Sequence, residues 1–343
     1  MLDRDKNIAL FAEASMGSTY AKMSEGMIKY GQNPISAVID SDAAGRTLRE
    51  VCGIESNIPI VSTIEEACQL GAEVLILGTA PSGGRFPTQW DAHIKLALNF
   101  GMSIVNGLHD NLTEQYSKHL KSNQWIWDVR RPLNPSPRIG AARSSFLKNI
   151  RILMIGTDMA VGKMTSGLEI CKFLKDANYD AEFLATGQTG ICITGSGIPL
   201  DAYKIDYASG AVEDMVLKSS ERQILVVEGQ GSLLNPGSTA TLPLMRGSCP
   251  SHMVLCHRAG QEFVESDAKV RIPNIKDVIN LNETLANAVG SLVIAKVISV
   301  SLNTKHLDEQ SAIVAIDTME QELGIPVQDP VRFSAKKLVH SIV

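Results

Sequence analysis

The amino-acid sequence predicts an α/β protein with two domains, each a parallel sheet between layers of helices. Short apolar runs rich in Val, Ile and Leu alternate with amphipathic segments, as strands alternate with helices in parallel sheets. The alternation stops at residues 130–146, where three prolines fall within six residues, and then restarts. At 343 residues the chain is also long enough for two separate cores.

The N-terminal domain is predicted over residues 1–132. Its helix after Thr63 has a clear start signal, because Glu66 completes a capping box with that threonine. Gly71 stands where a helix ends, so these signals define one strand–helix–strand step. The predicted strands of this domain lie at 35–41, 58–63, 73–78 and 102–107.

Residues 133–149 are predicted to form a linker, and residues 150–343 the second domain. There the alternation of strands and helices resumes, which predicts a second parallel sheet. The predicted strands lie at 150–157, 182–186, 223–229, 253–257 and 297–304. The predicted helices lie at 163–177, 201–219, 275–289 and 307–323.

The charge and composition exclude several kinds of partner. A formal net charge of −5 argues against nucleic acid or an anionic membrane surface, which favour basic proteins. No leader pattern opens the chain and no apolar run reaches the ~20 residues of a membrane span, so we expect a cytoplasmic protein. The six cysteines form no CxxC pair, which predicts free thiols and no metal site. We expect a closed homo-oligomer, the commonest assembly of soluble proteins.

The stretch "RILMIGTDMAVGKMTSGLEI" (151–170) predicts a phosphate-binding loop between a buried strand and a helix. Backbone N–H groups in such a loop point inward, and the helix N-terminus and a lysine add positive charge. The spacing differs from the standard loop, because five residues separate the glycines, and it resembles the loop of dethiobiotin synthetase. The candidate cofactor-binding residues here are Gly156, Thr157, Asp158, Val161, Gly162, Lys163, Met164 and Thr165.

Met164 occupies the position where nucleotide hydrolases place the hydroxyl that binds Mg²⁺. The hydroxyl reappears one residue later, at Thr165. Because the backbone of such a loop binds phosphate without a metal, losing this ligand weakens phosphoryl transfer more than anion binding. The loop therefore suits a cofactor that is not cleaved at phosphate, such as coenzyme A.

Three polar residues follow other strands of the second domain, at the edge where open α/β sheets bind ligands. Glu228, in "VVEGQGS", could bind a metal, accept a proton from an amine or bond to loop N–H groups. His257 could move a proton or be a structural histidine beside an apolar run. Gln188, in "ATGQTG", is expected to line the same crevice as the phosphate loop.

Ordered matches over most of the chain resemble a family first described as a domain of unknown function and now associated with D-glutamate N-acetyltransferase. The resemblance implies a Rossmann-like domain joined to a P-loop NTPase-like domain. It also implies acetyl transfer from acetyl-CoA to the amine of a D-amino acid, with D-glutamate as the reference substrate. The matching stretches are "AKMSEGMIKYG", "AVIDSDAAGR", "LILGTAPSGGRFP", "VNGLHDNL", "WDVRRP", "GTDMAVGKMT", "ATGQTG", "VVEGQGSLLNP" and "VLCHR".

This resemblance assigns roles to individual residues. Glu228 or His257 would take the proton of the amino acid ammonium group. The carboxylates of the substrate would need guanidinium partners, for which Arg85 and Arg130 are candidates. His109 is a further candidate at a strand end, although a loop histidine and a solvated Arg130 are equally consistent with the sequence.

Two other functions remain open on the sequence alone. A ligase or kinase of the dethiobiotin synthetase type would use ATP with Mg²⁺, and Thr165 or Asp158 would replace the missing metal ligand. A nucleotide or CoA sensor would bind without turnover. The sequence also departs from the family pattern at Asn235, where the resemblance implies a histidine.

Overall fold

The computed structural model describes residues 2–79, 81–132 and 134–342. Contacts divide the chain into two compact units. The first joins the residues up to 132 with Gln188–Ala202, and the second joins Asn134–Gly187 with the residues from Tyr203 onward. The sequence did not predict that Gln188–Ala202 packs with the first unit.

The described residues form twelve strands and twelve α-helices. The strands are β1 (Ile8–Phe11), β2 (Ile35–Ile39), β3 (Ile60–Val61), β4 (Val74–Leu77), β5 (Ser103–Asn106), β6 (Ile126–Asp128), β7 (Ile150–Gly156), β8 (Ala181–Leu184), β9 (Ile224–Val227), β10 (His252–Arg258), β11 (Lys296–Asn303) and β12 (Val327–Gln328). The helices are α1 (Lys22–Tyr30), α2 (Leu48–Cys52), α3 (Ile64–Gln69), α4 (Asp91–Asn99), α5 (Leu112–Gln115), α6 (Lys163–Asp176), α7 (Gln188–Thr194), α8 (Ile205–Lys218), α9 (Thr241–Ser248), α10 (Ile275–Asn287), α11 (Glu309–Leu323) and α12 (Lys336–Val339). None of these helices combines the length and apolarity that crossing a membrane requires.

The first unit contains a six-stranded parallel sheet with the order β3-β2-β1-β4-β5-β6. This is a Rossmann order, in which strand addition reverses between β1 and β4 and opens a crevice at the carboxyl edge. The sequence predicted β2 to β5 but missed β1 and β6.

The start of α3 confirms the predicted capping box. Thr63 Oγ1 accepts a hydrogen bond from the Glu66 amide at 3.2 Å, and the Glu66 carboxylate accepts one from the Thr63 amide at 3.1 Å. Gly71 follows the helix with φ of 88°, a conformation that favours glycine. The local signals of the sequence therefore determine both ends of this helix.

The core of the first unit lies between its sheet and the helices α3 and α4. Phe11 and Trp90 meet edge to face with ring centroids 5.1 Å apart, an arrangement that aromatic pairs prefer. On α1, Gly26 allows α7 to approach closely, because a Cβ there would lie 3.1 Å from Ile193 Cδ1. The chain after β8 is thus packed on a helix of the first unit.

The second unit contains a six-stranded parallel sheet with the order β12-β11-β10-β7-β9-β8. The strand that precedes the phosphate loop, β7, lies between β10 and β9. Because all strands are parallel, the residues that follow these three strands share one edge of the sheet. The predicted fold class, two parallel-sheet α/β domains, is confirmed.

Residues of the predicted linker pack against helices of the second unit. A Cβ on Gly210 of α8 would lie 1.6 Å from the Arg138 carbonyl oxygen, so only glycine fits there. Ser144 Oγ donates to the Gly247 carbonyl oxygen at 2.8 Å. This stretch is therefore a packed part of the second unit.

Glu213 is the buried anchor of this stretch. Its carboxylate is fully buried on α8 and accepts hydrogen bonds from the amides of Ala141, at 3.2 Å, and Arg143, at 2.6 Å. It also forms an ion pair with the Arg143 guanidinium. Burial without these partners would be costly, so the carboxylate holds residues 141–143 in place.

We expect Glu213→Gln to lower the free energy of unfolding by about 2–4 kcal/mol, because the change leaves the Arg143 guanidinium without its buried counter-charge. Urea denaturation measures the loss. Asp214→Asn is the matched control, since Asp214 lies 3.7 Å from the same guanidinium with 31% of its side chain exposed. Equal losses in the two variants would contradict the role of burial.

Candidate functional site

The phosphate loop, residues 156–163, connects the end of β7 to the first residue of α6. Gly162 has φ of 111°, which favours glycine. A Cβ on Gly156 would lie 3.0 Å from Val161 Cγ2 and 3.1 Å from Lys163 Cδ. The left-handed conformation therefore favours glycine at position 162, and a side chain at position 156 would be tightly packed against Val161 and Lys163.

Lys163 lies inside this loop. Its side chain is buried, and Nζ donates a hydrogen bond to the Asp158 carbonyl oxygen at 2.6 Å. Burial lowers its pKa, although the nearby Cys256, Asp158 and Glu228 oppose the change. A desolvated ammonium beside the N-terminus of a helix is well placed to bind an anion.

Asp158 has both carboxylate oxygens engaged. Oδ1 accepts hydrogen bonds from the Met159 amide and Asn235 Nδ2, and Oδ2 from Gln261 Nε2 and the Glu265 amide, all at 2.7 Å. Burial alone would raise the pKa of Asp158, but these donors bring it below its ordinary value. Because its lone pairs are already used, Asp158 is poorly suited to replace the missing metal ligand.

Met164 and Thr165 are both half-buried in the first turn of α6. One residue along a helix corresponds to a rotation of about 100° around its axis. The Thr165 hydroxyl therefore leaves the helix in a different direction from the side chain of Met164. Among the described residues, no group of three or more His, Cys, Asp and Glu side chains could hold a metal ion.

Glu228 follows β9 and is buried. Its Oε2 accepts hydrogen bonds from the Thr186 amide at 2.7 Å and the Gly187 amide at 3.0 Å. Burial raises its pKa to about 7, although these amides and Lys163 oppose the rise. Of the three roles open to it, bonding to loop N–H groups is observed, and a pKa near 7 also suits a general base.

Gly229 brings the turn after Glu228 against the phosphate loop. A Cβ at this position would lie 1.8 Å from the Met154 carbonyl oxygen and 2.9 Å from Lys163 Cδ. Only glycine permits such contact, since no side chain can share that space. The carboxylate of Glu228 and the ammonium of Lys163 therefore belong to one site.

His257 lies near the end of β10 and is buried. A hydrogen bond of 2.9 Å joins its Nδ1 to Oγ1 of Thr157 in the phosphate loop. Burial, with the charge of Arg258, lowers its pKa to about 4. The imidazole is thus uncharged and weakly basic at neutral pH, which makes it a poorer base than Glu228.

The candidate substrate residues lie around residues 107–110 of the first unit. Arg130 donates to the Gly107 carbonyl oxygen at 2.8 Å and forms an ion pair with Asp201, so its positive charge is already balanced by a carboxylate. Arg85 lies 3.5 Å from Asp110, and 74% of its side chain is exposed. Of the two arginines, Arg85 retains the freer guanidinium.

His109 and Gln188 lie in the same region. The His109 amide donates to the Gly84 carbonyl oxygen at 2.9 Å, and its side chain is exposed. Gln188 begins α7, and its Cγ lies 3.6 Å from the position of a Cβ on Gly107. Gln188 therefore belongs to the first unit and not to the unit that carries the phosphate loop.

Asp40 follows β2, where Rossmann folds that bind dinucleotides place an acidic residue for the ribose. Here its Oδ2 accepts from the amides of Ser15 and Met16, and its Oδ1 from those of Asp42 and Ala43, at 2.8–3.2 Å. These bonds use the lone pairs that a ribose would need. Asp40 therefore has no free lone pair for a ribose hydroxyl.

Comparison with known proteins agrees with this architecture. Residues 138–339 match the P-loop domain, and residues 41–132 the Rossmann-like domain, of the family of unknown function DUF1611. The chain belongs to the DUF1611 family. A DUF1611 family protein from Anabaena variabilis has a crystal structure with a TM-score of 0.94 and 42% identity, covering 98% of this chain and 99% of that one.

Two curated relatives have names that describe an activity. A protein from Pseudoalteromonas sp. is 35% identical over 82% of this chain and 84% of its own length. One from Tritonibacter scottomollicae is 30% identical over 88% of this chain and 90% of its own length. Both are named D-glutamate N-acetyltransferase. The family resemblance found in the sequence is confirmed.

The structure of this DUF1611 protein adds residues that the sequence did not single out. Arg258 Nη2 donates to the Ala160 carbonyl oxygen at 3.2 Å, and Asn303 Nδ2 to the Val161 carbonyl oxygen at 3.4 Å. Both are polar residues at the carboxyl ends of strands, a signal that could have identified them. Gln261 and Glu265 carried no such signal, because they reach Asp158 from a long loop.

Proposed function

We propose that this protein is an N-acetyltransferase that moves the acetyl group of acetyl-CoA to the amine of a D-amino acid, with D-glutamate as the first candidate. Two relatives that are 35% and 30% identical to this chain are named D-glutamate N-acetyltransferase, which supports an acyltransferase. The observation that carries the proposal is a buried carboxylate of near-neutral pKa, Glu228, in the same site as a phosphate loop.

The phosphate loop fits the phosphate groups of CoA. Gly156 and Gly162 leave the loop free of side chains that would fill it, and Lys163 provides a buried positive charge. Asp158 directs no free lone pair at a metal, so the loop suits an anion that binds without being cleaved. Acetyl-CoA would supply the acetyl group as a thioester, whose carbonyl carbon an uncharged amine can attack with release of the thiol.

Glu228 would take the proton of the substrate ammonium group. With a pKa of about 7, it is substantially deprotonated at neutral pH and still basic enough to accept a proton. Arg85 is the candidate partner for a substrate carboxylate, because an exposed guanidinium can form two parallel hydrogen bonds. Cytoplasmic location and a homo-oligomeric state stay predictions of the sequence.

The proposal is tested by incubating the purified protein with acetyl-CoA and a panel of D- and L-amino acids without magnesium. Thiol release and mass spectrometry of the N-acetyl product follow the reaction. Acetylation of an acidic D-amino acid is the expected result. Tight binding of ATP without acetylation of any amine would contradict the proposal and favour the ligase or sensor.

Met164→Thr separates the transferase from an ATP-dependent enzyme. Restoring the hydroxyl directly after Lys163 should change kcat/KM for acetyl transfer by less than about threefold, because metal binding at this position is not needed for anion binding. The measurement is acetyl transfer with and without magnesium, beside ATP hydrolysis. Strong magnesium-dependent ATP hydrolysis by both the variant and the parent protein would contradict the proposal of a transferase.

A further inference from the structure

We propose that Asp158 is a positioning residue that fastens residues 261–272 beside the phosphate loop and thereby strengthens the binding of anions there. These residues are called the flap below. The proposal deepens the function proposed above, on which it depends for the identity of the ligand. The attachment of the flap is a property of the protein without ligand.

The flap is a short hairpin that follows β10. Phe263 and Arg271 pair as antiparallel strands do. The Val264 amide donates to the Val270 carbonyl oxygen at 2.9 Å, and the Ile272 amide to the Glu262 carbonyl oxygen at 2.8 Å. The hairpin is therefore held together by its own backbone and can be attached or released as a unit.

The flap is attached mainly through one oxygen atom of the phosphate loop, and Asn235 Nδ2 adds a longer hydrogen bond of 3.4 Å to the Glu265 carbonyl oxygen. Oδ2 of Asp158 accepts hydrogen bonds from Gln261 Nε2 and the Glu265 amide, both at 2.7 Å. Hydrogen bonds to a charged acceptor are about twice as strong as neutral ones. A second contact joins Arg258, which donates to the Ala160 carbonyl oxygen, to the Glu265 carboxylate at 3.3 Å.

The same contacts explain how an acidic residue can stand inside an anion-binding loop. An unpaired carboxylate near a phosphate would oppose its binding by direct repulsion. Asp158 instead meets N–H donors on both oxygens, two of them from the flap. The flap therefore compensates the negative charge of the loop as well as covering the carboxylate.

Two buried polar atoms of the flap have no hydrogen-bond partner among the described residues. They are Oε1 of Gln261 and Oγ of Ser266. Buried polar atoms usually find a partner, so these two are unsatisfied in the ligand-free protein, and a ligand reaches them only by displacing the atoms that cover them. A pyrophosphate-bearing ligand has the chemistry to engage the loop and the flap together.

Asp158→Asn tests the attachment directly. An asparagine that accepts from Met159 and Asn235 turns its NH₂ group toward the two donors of the flap, so the attachment is lost. We expect hydrogen exchange of the Glu265 amide, which donates to Asp158, to accelerate at least about tenfold, as measured by mass spectrometry of the ligand-free protein. Asp267→Asn, an exposed carboxylate of the same flap, is the matched control and should exchange like the parent protein.

A second variant keeps the test decisive. Gln261→Ala removes one donor at a half-buried position and should accelerate exchange about threefold or more, even if Asp158→Asn does not fold. Parent-like exchange in both Asp158→Asn and Gln261→Ala would overturn the proposal.

Titration with inorganic pyrophosphate distinguishes positioning from simple charge. If Asp158 acted only as a negative charge, Asp158→Asn would bind pyrophosphate more tightly. The proposal predicts weaker binding, by about threefold or more. Tighter binding would overturn it. A parent protein that binds neither pyrophosphate nor CoA would refute the proposed function, while the exchange experiment would still decide whether Asp158 attaches the flap.

Discussion

Replacing Glu228 with glutamine is expected to lower kcat for acetylation of D-glutamate about a hundredfold to ten-thousandfold, the usual contribution of a general base. Glutamine preserves the local structure, because its amide oxygen can still accept hydrogen bonds from the Thr186 and Gly187 amides. What it loses is the ability to take a proton. Steady-state kinetics at saturating acetyl-CoA measure the effect.

The pH dependence of the parent enzyme identifies the base. A base works in its deprotonated form, so with Glu228 in this role kcat should rise with pH through about 7 and level off above it. If His257 were the base, its pKa of about 4 would leave kcat constant over this range. His257→Gln serves as the control, and its kcat should still rise with pH through about 7. If the rise of kcat near pH 7 were lost in His257→Gln and kept in Glu228→Gln, the base would be His257.

The second large effect is expected from Lys163→Met, which should weaken the binding of CoA about tenfold to a hundredfold. A hydrogen bond to a charged group contributes about 1.5–3 kcal/mol, and methionine removes the ammonium while filling a similar volume in this buried position. Isothermal titration calorimetry with CoA measures the change. The result applies to any phosphate-bearing ligand, so it tests the loop and not the choice between CoA and ATP.

Lys172→Met is the matched control for this experiment. Lys172 lies on the same helix, α6, but is exposed. The same change in total charge should therefore leave CoA affinity within about twofold, because exposed charges are screened by salt. Similar losses in both variants would show that general electrostatic attraction, and not the loop, binds the ligand.

Much of the fold could be predicted because its signals are local. The capping box of Thr63 and Glu66 and the apolar runs of the long strands depend on residues close in sequence. The strand Ile8–Phe11 was missed, although it is no shorter than β4 and β5, which were predicted. Its central place in the sheet, between β2 and β4, is seen only in the folded structure.

The candidate site was predictable in part for the same reason. The glycines and Lys163 of the phosphate loop act through local backbone geometry, and Glu228 follows a strand that the sequence already indicated. The partners of Asp158 were not predictable, since Gln261 and Glu265 are more than a hundred residues away in sequence. Gln188 was expected to line the same crevice as the phosphate loop; its helix packs in the first unit, and its place in that crevice stays a prediction.

The sequence by itself determined the fold class, the phosphate loop and the family, because apolar periodicity, glycine spacing and ordered motifs are properties of the linear chain. Only the tertiary structure determined the burial, the pKa values and the hydrogen-bond partners of the charged groups in the site. Burial raises the pKa of Glu228 and lowers that of His257, and hydrogen bonds from distant segments saturate Asp158. Burial and long-range hydrogen bonds depend on neighbours that the chain acquires only on folding, which is why the proposals for the base and for the flap needed the structure.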